Sequence, residues 1–118
     1  MSTSAVLMGY VFNKVPNFVS RLKNVYISGP MTGLPDFNFP AFNAAAKKLK
    51  EEGWNVCNPA EHGIVEGATR SDYLRFDLAH LSACDTIYLL PGWENSDGAK
   101  WEVEIAKKLG ITIIDSTP

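Results

Sequence analysis

The chain has 118 residues, 46% of them hydrophobic and 20% charged, with a formal net charge of −2. Such a composition fits one globular domain with enough length for a three-layer core. It disfavours duplex nucleic acid as a partner, since such binders usually carry a basic face, and no apolar run approaches the ~20 residues of a membrane span.

Residues 1–23 are the least regular part. Val6, Leu7, Met8, Tyr10, Val11 and Phe12 suit a strand, a helix or an arm packed on a partner chain. No Lys or Arg precedes them, which argues against a signal peptide. This segment reads as an N-terminal extension, with the functional domain over 24–118.

From Asn24 onward, short β-rich runs alternate with helical patterns. Val25-Tyr26-Ile27-Ser28 predicts a first strand, broken by Gly29-Pro30. After a loop, Pro40 suits a helix start, and Phe42, Ala45, Ala46 and Leu49 repeat at helical spacing until Gly53. Trp54 to Cys57 predicts a second strand, ended by Asn58-Pro59. Ser71 is a plausible cap for a second helix with a Leu74, Leu78, Leu81 stripe. Thr86 to Leu90 predicts the third strand. Gly98 to Leu109 predicts the third helix, with Trp101, Ile105 and Leu109 in register, and Ile111 to Ile114 the fourth strand.

This alternation implies parallel pairing through right-handed crossovers. The third and fourth strands are continuously apolar, as in a sheet covered on both faces. The expected fold is α/β: a small Rossmann-like, flavodoxin-like parallel sheet of four to five strands flanked by helices, in order 2-1-3-4. The exits of strands one and three, Ser28-Gly29-Pro30 and Pro91-Gly92-Trp93, then face each other across one crevice at the switch point.

Cys57 and Cys84 form no Cys-x-x-Cys pair and read as buried free thiols of a reducing cytoplasm. His62 and His80 are too scattered to complete a zinc site with them. Gly29-Pro30-Met31-Thr32-Gly33 is neither a Walker loop nor G-x-G-x-x-G, so no dinucleotide cofactor is supported.

Glu102 is the strongest chemical candidate. It lies near the start of the third helix, behind Ser96-Asp97-Gly98, where the helix dipole should hold its carboxylate ionised. An ionised carboxylate beside a ligand crevice suits covalent chemistry at a sugar carbon. Glu104 lies ~200° around the helix and cannot share its direction. Asp77, beside the leucine stripe, either faces water or enters the crevice, and Asp85 fits a turn end. Trp93 is expected exposed at the site and Trp101 in the core. Ser96 and Asp97 suit a helix cap, and Ser96 suits donation to a phosphate held at the helix N-terminus.

Three blocks carry a family resemblance: Val25 to Met31, Phe76-Asp77-Leu78 through Cys84 to Ile87, and Ser96 to Gly110. Together they resemble the nucleoside 2-deoxyribosyltransferase superfamily, in particular its small, often phage-encoded branch, over roughly residues 25–114. The resemblance implies that Glu102 is the nucleophile attacking the anomeric carbon, that Asp77 contacts the base and assists its departure, and that Tyr26 stands near the nucleophile. It implies that Ser28, Gly29, Pro30 and Met31 line the sugar or phosphate side, with Trp93, Ser96, Asp97 and Gly98 completing the substrate contacts. Ser96 occupies the place where the related deoxynucleoside monophosphate glycosidases carry a phosphate-binding serine. Glu104 replaces a glycine usual in the family.

The implied activity is cleavage or transfer at the N-glycosidic bond of a 2′-deoxynucleoside or its 5′-monophosphate, through a covalent glycosyl-Glu intermediate. The resemblance further implies a homo-oligomer, a dimer or higher; the chemistry requires no metal or organic cofactor, and the free thiols suit a cytoplasmic protein. From a different class, a nucleotide or ADP-ribose-like binding module fits the same pocket without turnover, and an interaction protein would use the N-terminal arm.

Overall fold

The computed structural model describes residues 23–118. The apolar run Val6 to Phe12 lies outside the described residues. Four strands, β1 (Asn24–Ser28), β2 (Asn55–Cys57), β3 (Thr86–Leu89) and β4 (Thr112–Asp115), form one sheet in the order β2-β1-β3-β4. Every neighbouring pair is parallel, with Tyr26 opposite both Cys57 and Ile87. The expected strand order and fold class are both found.

Among the described residues three helices cover the sheet: α1 (Phe39–Glu51), α2 (Arg70–Ser82) and α3 (Asp97–Leu109). Side chains alternate across a strand, so β1 divides its residues between two layers. Val25 and Ile27 pack with Phe42, Ala45, Ala46 and Leu49 of α1. Tyr26 faces the other way, onto Leu81 of α2 and Val103 and Ala106 of α3. Ser28 shares the parity of Tyr26, which directs both hydroxyls to the α3 side.

Three local expectations are corrected. The N-cap of α2 is Thr69, not Ser71. Thr69 accepts from the Asp72 N–H at 3.1 Å while Asp72 accepts from the Thr69 N–H at 2.9 Å, a reciprocal box that a cap at Ser71 could not form. The inward stripe of α3 is Ala99, Glu102, Val103 and Ala106, whereas Trp101 and Leu109 are 59% and 54% exposed. Small residues let the helix approach the sheet closely, and the bulky ones are left outside. Finally, β4 is an edge strand with mostly exposed side chains, Ile113 among them, so its apolar run does not signal burial on both faces.

Candidate active site

At the carboxyl ends of β1 and β3 the two strand exits meet. A Cβ added at Gly29 would stand 2.8 Å from Leu90 Cβ, so only glycine permits this approach of the two exits. Gly92 takes a left-handed φ of 88°, which turns the chain toward Trp93 and α3. Beside this junction lies a cavity of about 730 Å³, within the range of small-molecule sites.

Glu102 is the buried carboxyl group of the cavity lining. It is only 7% exposed, and its carboxylate accepts hydrogen bonds from Tyr26 Oη at 2.7 Å and Ser28 Oγ at 2.5 Å. Both donors come from β1 by its alternation, and the inward stripe of α3 brings the carboxylate to them. The expectation that the helix dipole holds Glu102 ionised is not met. Helix α3 begins at Asp97, so Glu102 lies in its second turn, beyond the strongest part of the dipole. Burial instead raises its pKa from 4.5 to about 7, against the opposing hydrogen bonds of Ser28 and Tyr26, and nearby Asp77 adds to the rise. Burial and the Glu102 charge likewise push the Tyr26 phenol well above its ordinary value, so it stays a proton donor.

Asp77 enters the crevice from α2 and lines the same cavity. Burial raises its pKa, while His62 and His80 oppose the rise. His62 Nε2 stands 3.3 Å from Asp77 Oδ1. Ser28, Gly29, Pro30 and Met31 form one wall, and Ser96, Asp97 and Gly98 another. Ser96 caps α3 by accepting from the Ala99 N–H at 3.1 Å, which leaves its hydroxyl hydrogen available to a ligand. Among the sequence candidates Trp93 is the one outside the cavity lining. Its indole N–H donates to Asp115 at 3.1 Å and its ring packs against the β3–α3 core, reversing the roles expected for Trp93 and Trp101.

Several lining residues were not singled out as candidates. Phe37, on the loop after β1, and Phe39, at the start of α1, flank the cavity with ring centroids 5.8 Å apart. In the loop Asp36, Phe37 and Asn38 all adopt positive φ, between 52° and 61°, and Asn38 Nδ2 donates to the Pro30 carbonyl at 2.9 Å. Three consecutive non-glycine residues in that region are strained, a cost typical of ligand-facing segments. Among the described residues, Arg70 is the sole Lys or Arg lining the cavity. His62 lines the cavity from the turn after β2, which borders the crevice, and its position past a strand's carboxyl end was the available signal.

Fold and site together define a small Rossmann-like α/β protein with a hydroxyl-bound carboxylate in a switch-point crevice. Residues 23–115 match the family described as Domain of unknown function (DUF4406), and the chain belongs to that family. Among solved structures it is similar to a 2-deoxyribosyltransferase from the psychrotolerant bacterium Bacillus psychrosaccharolyticus. The two share 22% identity and a TM-score of 0.64, over 78% of this chain and 70% of the other. That likeness extends to the fold. No curated protein matches the chain.

Proposed function

We propose that this chain cleaves or exchanges the N-glycosidic bond of a 2′-deoxynucleoside or its 5′-monophosphate through Glu102. The observation carrying this reading is a buried carboxylate gripped by two hydroxyls in a cavity that also holds a second, partly buried carboxyl group. In the first step a Glu102 oxygen bonds to C1′ as the C1′–N bond breaks. The electron pair leaves with the base, which takes a proton from Asp77. In the second, water or another base attacks C1′ as the bond to Glu102 breaks, and the proton it sheds returns to the Asp77 carboxylate. Water yields hydrolysis, and a second base yields transfer.

The transition state of such a step has oxocarbenium character, which an adjacent carboxylate stabilises. Tyr26 and Ser28 orient Glu102 and favour its anionic form. Arg70 at the cavity, with the Ser96 hydroxyl and the α3 N-terminus, supports a 5′-monophosphate over a neutral nucleoside. We assign the chemistry to residues 24–118 of a cytoplasmic, phage-type member of the transferase superfamily. The exposed side chains of Ile64, Val65 and Phe76 near the cavity support a homo-oligomer in which a second copy covers this edge.

The test is chromatography of free base from a panel of deoxynucleosides and their monophosphates, with Glu102→Gln alongside. Release by the wild type and not by the variant is the expected result. No release with any substrate or acceptor base, together with calorimetric binding unaffected by the variant, would reassign the pocket to binding alone.

A further inference from the structure

His62 sits in an aromatic setting, with Tyr73 at 5.2 Å between ring centroids and Phe76 edge-on at 5.5 Å. Its Nδ1 lies 2.8 Å from the Gly63 carbonyl oxygen. A carbonyl only accepts, so Nδ1 carries a hydrogen. In a neutral ring the other nitrogen, Nε2, would then present a lone pair. That nitrogen is buried without a well-aligned hydrogen bond, and Asp77 Oδ1 stands 3.3 Å away. A lone pair facing a carboxylate in a buried place is repulsive, and one proton between the two groups removes the conflict. That proton can sit on Asp77 as a carboxylic acid or on Nε2 as an imidazolium; both are the same one-proton state of the pair.

We infer that His62 is a positioning residue, which holds Asp77 and the shared proton where the departing base can take it, a role that rests on the glycosidic reading above. As the C1′–N bond breaks, the base gains the electron pair and the proton that leaves through Asp77. The pair is left as neutral imidazole beside carboxylate and recovers its proton from the water or base that attacks C1′ in the second step. Catalytic contacts of this kind tighten when substrate binds. The groups facing Asp77 are His62 from the turn after β2, His80 from its own helix, Glu102 from α3, Tyr26 from β1 and Cys57 from β2. Of these, His62 is the one in ion-pair range of the Asp77 carboxyl group, and burial of that group favours its retaining a proton.

The test compares two leaving groups in wild type, His62→Ala and His62→Gln. An ordinary deoxynucleotide base needs a proton to depart, whereas N7-methylguanine leaves its cationic deoxynucleotide as a neutral molecule. Loss of His62 should lower kcat for the ordinary base at least about tenfold and for the methylated one less than about threefold, with KM little changed. His62→Gln, which can orient Asp77 but not pass a proton, should fall between. Equal losses on both substrates would mean a merely structural role and overturn the inference.

Nitrogen-15 spectra of the histidine rings decide the pair independently of turnover, and the wild-type signal alone suffices to overturn it. Near neutral pH, His62 Nε2 should resonate away from the range of a free lone-pair nitrogen, and Asp77→Ala should return it there. A free lone-pair signal in the wild type overturns the pairing. No base release by the wild type, with the paired signal present, would instead fail the glycosidic reading and with it the delivery of the proton to a base.

Discussion

Replacing Glu102 by Gln should make the protein more stable at alkaline pH and inactive at every pH. Burial raises the Glu102 pKa from 4.5 to about 7. A carboxyl group whose folded pKa exceeds its unfolded value binds its proton more tightly when folded, so stability falls as pH rises between those two values and then levels off. At about 1.4 kcal/mol per pH unit, the full rise corresponds to about 3 kcal/mol lost by the folded state above pH ~7. Gln resembles the protonated acid in shape and stays neutral, and the hydroxyls of Tyr26 and Ser28 can accept as well as donate. The variant should therefore match the wild type near pH ~4 and exceed it by about 3 kcal/mol near pH ~8. For a domain of this size that is a melting temperature about 10 °C higher. Thermal melts of both proteins across this range give the comparison, and taking their difference removes groups common to the two. Parallel curves throughout would refute the claim that burial of Glu102 dominates its protonation.

Three more outcomes follow from the same geometry. Base release by the wild type should rise with pH through about 7 as Glu102 ionises; Ser28→Ala, which removes a hydrogen bond favouring the anion, should displace that rise upward by about one pH unit, and Tyr26→Phe should act in the same direction. A pH–rate profile unmoved in both would separate the hydroxyls from the carboxylate's ionisation. Gly29→Ala forces a methyl to 2.8 Å from Leu90 Cβ and should cost about 1–3 kcal/mol in denaturant melts, with no loss if the strand exits move apart freely. Thr69→Ala removes the side-chain half of the α2 capping box and should cost about 1 kcal/mol, an amount Ser71→Ala should not reproduce.

The strand order and the α1 face were legible because each rests on a repeating pattern. β1 must send Val25 and Ile27 one way and Tyr26 the other, and Phe42, Ala45, Ala46 and Leu49 recur at helical spacing. The inward face of α3 was not legible in the same way. Hydrophobicity favours Trp101, Ile105 and Leu109, but closeness to a sheet favours small side chains, and the stripe of Ala99, Val103 and Ala106 wins. Trp93 was misplaced for a related reason: its indole N–H has a partner in Asp115, and sequence spacing does not show a contact made across 22 positions. His62 was weighed solely as a metal ligand, since nothing in the chain order shows that the turn after β2 comes within reach of α2. The charge of Glu102 was misjudged because the dipole can be read from position, whereas burial requires knowing what packs over the helix.

On the proposed glycosidic reading, that misjudged charge bears on catalysis. A carboxylate fully ionised by a helix dipole would be stabilised equally before and during bond cleavage, which leaves the barrier unchanged. A carboxylate held near its titration midpoint by burial pays for its charge in the empty site, and regains that cost when positive charge develops at a sugar carbon beside it. Tyr26 and Ser28 stop the burial from going too far, since each favours the anion and neither carries a charge that would compete with an oxocarbenium centre. The small residues of α3 have their chemical purpose here. Ala99 and Val103 bring the helix close enough for two hydroxyls of one strand to reach the carboxylate, and a bulkier inward stripe would separate the groups that set its protonation.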